Sequence, residues 1–105
     1  MTKINSIMIV GVFKFKVNPS FQEEFEYLYG HAAKYVGQID GYLGHTVYDG
    51  ENGEKVLIVE FRDRNSFEVW DKHPEHKKYK ERGKKEIFES YDVSVGEVFE
   101  KSTKP

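Results

Sequence analysis

Residues 7–28, "IMIVGVFKFKVNPSFQEEFEYL", change their apolar period in mid-stretch, and that change decides the fold. Phe13, Phe15 and Val17 alternate with Lys14 and Lys16, a period of two that reads as a strand. The half before them is different. Ile7, Met8, Ile9, Val10 and Val12 are apolar on both faces, so this strand needs cover on both sides. Asn18-Pro19-Ser20 then marks a helix start, with Pro suited to a first turn and Ser20 and Glu23 spaced for a capping box. Phe21, Phe25, Leu28, Ala32, Val36 and Ile39 follow at steps of three and four, which places one apolar stripe on a helix. Gly37 and Asp40-Gly41 offer places for it to end.

Tyr42 to Tyr48 reads as a second strand with Leu43 and Val47 on one face, and Val56 to Arg62 as a third. The turn-rich stretch Asp49-Gly50-Glu51-Asn52-Gly53 joins them as a hairpin. Asp63 or Asn65 can cap a second helix, with Glu68 three residues after Asn65 to reach back. Phe67 and Trp70 share its inner face. Pro74 cannot continue that helix but can begin a new turn. A further helix reaches to about Lys85, weakened by Gly83, which costs ~1 kcal/mol relative to Ala in a helix interior. Tyr91, Val93, Val95 and Phe99 then alternate on a final strand.

The order β-α-β-β-α-β predicts an α+β, ferredoxin-like fold: a four-stranded antiparallel sheet with helices on one face. The first strand and the third, with Val56, Leu57, Ile58 and Val59, leave apolar side chains on the face without helices. Large uncovered apolar patches mark interaction sites, so a homodimer packed through its sheet faces is expected.

At 105 residues the chain suits one domain over 1–105, with a core from 7 to 99 and a loose tail over 100–105. The absence of cysteine removes disulfides, thiolate ligands and cysteine nucleophiles, and it fits a reducing, cytoplasmic setting. A formal charge of −2 gives no general attraction to nucleic acid or anionic membrane. The basic run His76 to Lys85 is broken by Glu81 and flanked by Glu75 and Glu86. With Lys77–Glu81 and Glu81–Lys85 four apart, it reads as a solvated helix face. The apolar run Ile7 to Phe13 is too short to span a bilayer and lacks a cleavage signal.

The stretch "VEFRDRNSFEVWDKHPEHKKYKERGKKEIFESYDVSVGEV", residues 59–98, resembles the second half of the antibiotic biosynthesis monooxygenase (ABM) domain. "VNPSFQEEFEYL" (17–28) and "IDGYLGHTVYDG" (39–50) are similar to its first half. The resemblance runs over roughly residues 7–98. It implies a dimeric α+β barrel. It also implies one of several tasks: oxidation of anthrones or quinols by O₂ without metal or flavin, degradation of haem, or no known reaction. The haem-degrading branch carries a haem-ligating His about three turns after the helix tryptophan and an Asn on the first strand. The matching positions here hold Lys80 and Gly11, so the resemblance points away from haem.

Within "WDKHPEHKKY", residues 70–79, two of the four histidines lie three apart around a proline, just after the only tryptophan. Zinc needs three or four ligands, and Asp71, His45 or His31 would have to complete a set whose geometry Pro74 breaks, so no metal is expected. Two readings of His73 and His76 remain. In one, His73 sits at the cap of the helix that Pro74 starts and His76 lies in its first turn. In the other, one of them is the general base of a cofactor-free oxygenation, with its pKa near neutrality suited to ionising the substrate. Trp70 and Phe67 would then wall a cavity for a small aromatic ligand beneath the bend, and Tyr42 or Tyr91 would bring a hydroxyl to the histidine, preferably His73. No metal, flavin or haem is expected to be needed. A non-catalytic, ligand-binding or accessory domain of the same fold is the alternative.

Overall fold

Asn18, not Ser20, turns the first strand into the first helix. In the computed structural model, which describes residues 7–105, the Asn18 side chain accepts a hydrogen bond from the Ser20 backbone N–H at 3.0 Å. Residues 1–6, which the domain expected over 1–105 includes, lie outside the described range. Strand β1 (Met8–Val17) thus passes through one 3-10 turn, Pro19–Phe21, into helix α1 (Gln22–Val36). The asparagine closes its own local turn before Ser20 can act as a cap.

The remaining elements are β2 (Tyr42–Asp49), β3 (Lys55–Phe61), α2 (Arg64–Asp71), α3 (Pro74–Arg82) and β4 (Phe88–Val98). The sheet order is β2-β3-β1-β4, antiparallel throughout, which is the ferredoxin-like arrangement. Asp63 is the cap of α2: its carboxylate accepts from the backbone N–H (2.8 Å) and hydroxyl (2.7 Å) of Ser66, so Asn65 falls inside the helix. Helix α3 ends at Arg82, short of Lys85, and a wide turn over Gly83–Ile87 leads into β4. At Gly83, which keeps helical backbone angles, the Phe88 ring packs so close that a Cβ would lie 2.4 Å from it. Phe99 falls one residue beyond β4 and is 94% exposed.

Register sorts the side chains onto two faces, because paired residues on neighbouring strands point the same way. Ile9, Gly11, Phe13 and Phe15 of β1 face the helices together with Phe61, Val59 and Leu57 of β3. On β4 the same face carries Val95, Val93 and Tyr91. Ile9, Val36, Phe61 and Trp70 form the buried core, with Tyr42, Val59 and Phe67 packed around it. A second, all-aromatic group gathers Phe13, Phe15, Phe25 and Phe88, with ring centroids 4.7–6.1 Å apart. Phe15 and Phe61 are essentially sealed from water, and each such side chain stabilises the fold by about 1.5–3 kcal/mol. The other face shows Met8, Val10, Val12, Val56, Ile58 and Val98 with no helix over them.

Two local expectations on β2 and α3 are corrected. A bulge between Tyr42 and Gly44 leaves Leu43 as the extra residue, 53% exposed, so it does not share an inner face with Val47. The basic run makes different ion pairs from the expected Lys77–Glu81 and Glu81–Lys85. Lys80 holds Asp71 across the α2–α3 bend at 2.9 Å, and Arg82 grips Glu24 of α1 through two hydrogen bonds of 2.6 and 2.8 Å.

Candidate functional site

The bend between α2 and α3 is held by histidines. Helix α2 ends at Asp71, and Pro74 opens α3 at a new angle. His73 is the cap of α3: its Nδ1 accepts the Glu75 backbone N–H at 3.1 Å. In the neutral ring the proton is therefore on Nε2, and the basic lone pair is engaged by the cap. His76 does something else. Its ring lies parallel to the Trp70 indole at a centroid distance of 4.1 Å and an angle of 11°. Its Nδ1–H donates to the Trp70 carbonyl at 2.9 Å, and because a carbonyl can only accept, the tautomer is fixed. The Nε2 lone pair has no partner among the described residues and is not sealed from solvent. Burial pushes the His76 pKa down to about 4, partly offset by that carbonyl, so the ring is neutral at physiological pH.

Neither histidine meets the tyrosine expected to serve it. Tyr91 lies at the far end of the layer, beside Phe13 (6.5 Å) and under the Lys84 ammonium (5.7 Å). Tyr42 packs edge-on to Phe61 and turns its hydroxyl to His45. Phe67 is likewise against Phe61, at 5.9 Å, and Trp70 is 8% exposed within the core. Lys80 is tied to Asp71, whose carboxyl it holds below the usual range. Among the described residues no three potential ligands gather where they could hold a metal.

The helix–sheet layer is thinly filled at its middle. Trp70 covers Ile9 at one end, and Phe25 and Phe88 cover Phe15 at the other. Between them stands Gly11. A Cβ built there would meet a single atom within 4 Å, Cγ1 of Val59 at 3.0 Å, although the residue is buried. Buried positions in a close-packed interior are normally crowded on every side. Next to Gly11 on β4, Val95 and Val93 are 47% and 55% exposed although they face the helix side. Gly11, Val93, Val95 and Phe13 thus make an apolar floor, with Trp70 at one end and Phe88 and Tyr91 at the other. An open polar depression of about 460 Å³, lined by Lys16, Glu51, Asn52 and Glu54, lies away from it at the hairpin turn and has no aromatic wall.

The polar group that sequence reasoning missed is His45. It shares a transverse row with Val59, Gly11 and Val95 on the helix side. Its Nε2 is 2.8 Å from the Tyr29 hydroxyl and its Nδ1 is 2.5 Å from that of Tyr42. Burial, and then repulsion from Tyr29, raise the Tyr42 pKa, so its hydroxyl stays protonated. One sequence feature bore on this: a histidine two residues before Val47 must share the inner face of a strand.

Among curated protein sequences none matches the chain. Its fold recurs in solved structures. Rv0793 from Mycobacterium tuberculosis superposes with a TM-score of 0.78 at 16% identity, over 91% of this chain and 99% of that one. SO0527 from Shewanella oneidensis gives 0.76 at 17% identity, over 91% and 95%. A point mutant of SnoaB, a cofactor-independent oxygenase from Streptomyces nogalater, gives 0.74 at 16% identity, over 90% and 95%. At these identities the likeness speaks for the fold. No helix among the described residues is long and apolar enough to cross a membrane. A family model described as antibiotic biosynthesis monooxygenase matches residues 8–82, well over half the chain, and the chain therefore belongs to that family.

Proposed function

We propose that the protein is a small cytoplasmic monooxygenase that oxidises an aromatic hydroxy compound of the anthrone or quinol type with O₂, without a cofactor. The observation that carries this reading is the under-filled layer over Gly11, floored by Val93 and Val95 and bordered by Trp70. A flat, apolar, aromatic ligand fits such a slot by shape and by hydrophobicity. Family membership and the cofactor-independent oxygenase among the structural relatives lend support.

The chemistry asks little of the protein beyond position and proton management. An anthrone methylene loses a proton, and the carbanion gives an electron to O₂. The resulting radical pair joins to a hydroperoxide, which loses water and leaves a carbonyl. One oxygen atom enters the product, the other leaves in water, and the substrate itself is the reductant. Trp70, Phe67, Tyr42 and Tyr91 border the layer, and His76 offers Nε2 as a hydrogen-bond acceptor for a ligand hydroxyl. Of the two histidines of the bend, His76 is the better placed for contact, because the lone pair of His73 is held by the Glu75 N–H. The enzyme works as a homodimer, with the open sheet faces of two copies packed together.

The test follows O₂ uptake by purified protein with anthrones and quinols. Turnover that falls strongly in Trp70→Ala and His76→Gln, with His73→Asn near wild type, supports the reading. Absence of uptake with every compound, in a protein that still binds them, favours the second reading: a ligand-binding or accessory domain. That reading draws on the low His76 pKa, since a base near 4 is a poor proton acceptor at neutral pH.

A further inference from the structure

We infer that Tyr29, His45 and Tyr42 form a proton relay, built by the β-bulge in β2, that takes the hydroxyl proton of an aromatic ligand lying over Gly11. The inference rests on the ligand reading above and supplies a path by which the ligand proton reaches water.

The first support is the geometry of the strand. Successive residues of a strand alternate faces, so residues three apart point to opposite sides. Tyr42 and His45 are three apart, yet both are on the helix side, opposite Phe61 and Val59 respectively. The bulge achieves this by inserting Leu43, and Gly44 absorbs it at φ 137°, a region that L side chains rarely adopt. Gly44 is not there for space, since a Cβ on it would meet nothing within 4 Å. The strand spends a bulge, a left-handed glycine and an exposed leucine to bring one tyrosine beside one histidine. A histidine that only needed a partner could have taken Tyr29 alone.

The second support is the proton count. A neutral imidazole carries one N–H, so one tyrosine donates to it and the other accepts from it. The accepting tyrosine keeps its own O–H free for a further partner. The chain thus has two arrangements, related by shifting each proton one step, and it conducts a proton in either direction. No charged side chain hydrogen-bonds to any of the three among the described residues, so nothing pins it in one arrangement.

The third support is placement. Tyr42 packs with Phe61 in the Trp70 core, while Tyr29 packs on Phe25 at 5.9 Å in the second aromatic group. His45 links the two groups and lies in one row with Val59, Gly11 and Val95. Neighbouring strands are about 4.8 Å apart, so Gly11 is roughly 10 Å away across Val59, on the scale of a fused three-ring aromatic. In the forward step a ligand O–H breaks and its proton passes to Tyr42 Oη. The Tyr42 proton passes to Nδ1, and the Nε2 proton passes through Tyr29 to water. The ligand is left as its phenolate, and the relay returns to neutrality.

The experiment uses alizarin, a dihydroxyanthraquinone whose colour reports its ionisation, so that turnover is not needed. The rate at which the protein-bound dye changes colour after a pH jump is compared between wild type, His45→Gln and Tyr42→Phe. The expected result is that both variants still bind the dye, while its ionisation slows by about 10²-fold or more, the usual worth of a positioned proton-transfer group. Should His45→Gln fail to fold, Tyr42→Phe, which removes a single oxygen, gives the same readout. Bound dye that ionises equally fast in all three proteins overturns the relay and leaves the ligand reading standing. Dye that does not bind the wild type overturns both.

Discussion

The His76 imidazole lies flat against the Trp70 indole and is hydrogen-bonded to the carbonyl of the same residue. One residue is thus gripped by both the side chain and the backbone of another, across the break made by Pro74. The contact joins α2 to α3, and it does so with a titratable group. Its pKa is about 4 in the folded chain against 6.5 when free. The unfolded chain therefore binds more protons between these values, and stability rises with pH across that window. We expect full stability above pH 6.5 and a loss of about 3 kcal/mol as the pH falls towards 4. Urea unfolding at a series of pH values measures it. A profile that is flat between pH 4 and 6.5, or unchanged in His76→Phe, would count against a buried neutral imidazole.

Gly83 tests packing against propensity. It sits at the end of α3 with helical backbone angles (φ −61°, ψ −49°), where alanine is intrinsically better by about 1 kcal/mol. The Phe88 ring, however, occupies the space a methyl would need, and Phe13, Phe15 and Phe25 hold that ring in place. Overpacking costs about 1–3 kcal/mol, so the net sign is reversed. Gly83→Ala should be less stable than wild type in chemical denaturation. A gain in stability would mean that the Phe88 ring moves aside freely.

The cap of α2 gives a sharp contrast between two neighbours. Asp63 bonds both the N–H and the hydroxyl of Ser66, and Ser66 is buried. Asn65 caps nothing in α2 and is exposed. Asp63→Ala should lower the thermal midpoint by several degrees, since it strips a cap and leaves a buried hydroxyl unpaired. Asn65→Ala should leave the midpoint where it is. Equal effects from the two would place the helix start elsewhere.

Element order was legible because it rests on period. The switch from two to 3.6 after Val17, and the turn residues from Asp49 to Gly53, survive any local detail. The site was less legible because a bulge changes parity without changing composition. Read as a regular strand, Tyr42 and His45 belong to opposite faces, and only the inserted Leu43 brings them together. The histidines of "WDKHPEHKKY" drew attention by their spacing, yet spacing cannot tell a ring that caps a helix from one that stacks on an indole. The first cap was missed by a small margin at Ser20, and of the two candidates for α2 the structure takes Asp63 rather than Asn65. In each case a neighbouring Asn or Asp closed the turn first, two or three residues ahead of the N–H it serves.

The open sheet face carries the last prediction. Val12 stands there between Ile58 of β3 and Ser94 of β4, and Val10 between Glu60 and Gly96. Val56 lies beside Tyr48, which is half exposed. Around this apolar centre the polar groups form an edge: Lys14 is opposite Asp92, and Lys101 of the tail reaches Glu60 at 2.9 Å. An apolar centre with a charged rim is the anatomy of a protein interface, and a second copy of the chain presents the same surface. We expect light scattering to give the mass of a dimer at micromolar concentration. A carboxylate placed at the centre would be desolvated without a partner on pairing, so Ile58→Asp should scatter as a monomer with unchanged circular dichroism. A substitution on the outer rim, such as Asp92→Asn, should leave the dimer intact. If the wild type scatters as a monomer at that concentration, the face is not a stable dimer contact and its apolar centre lacks an occupant.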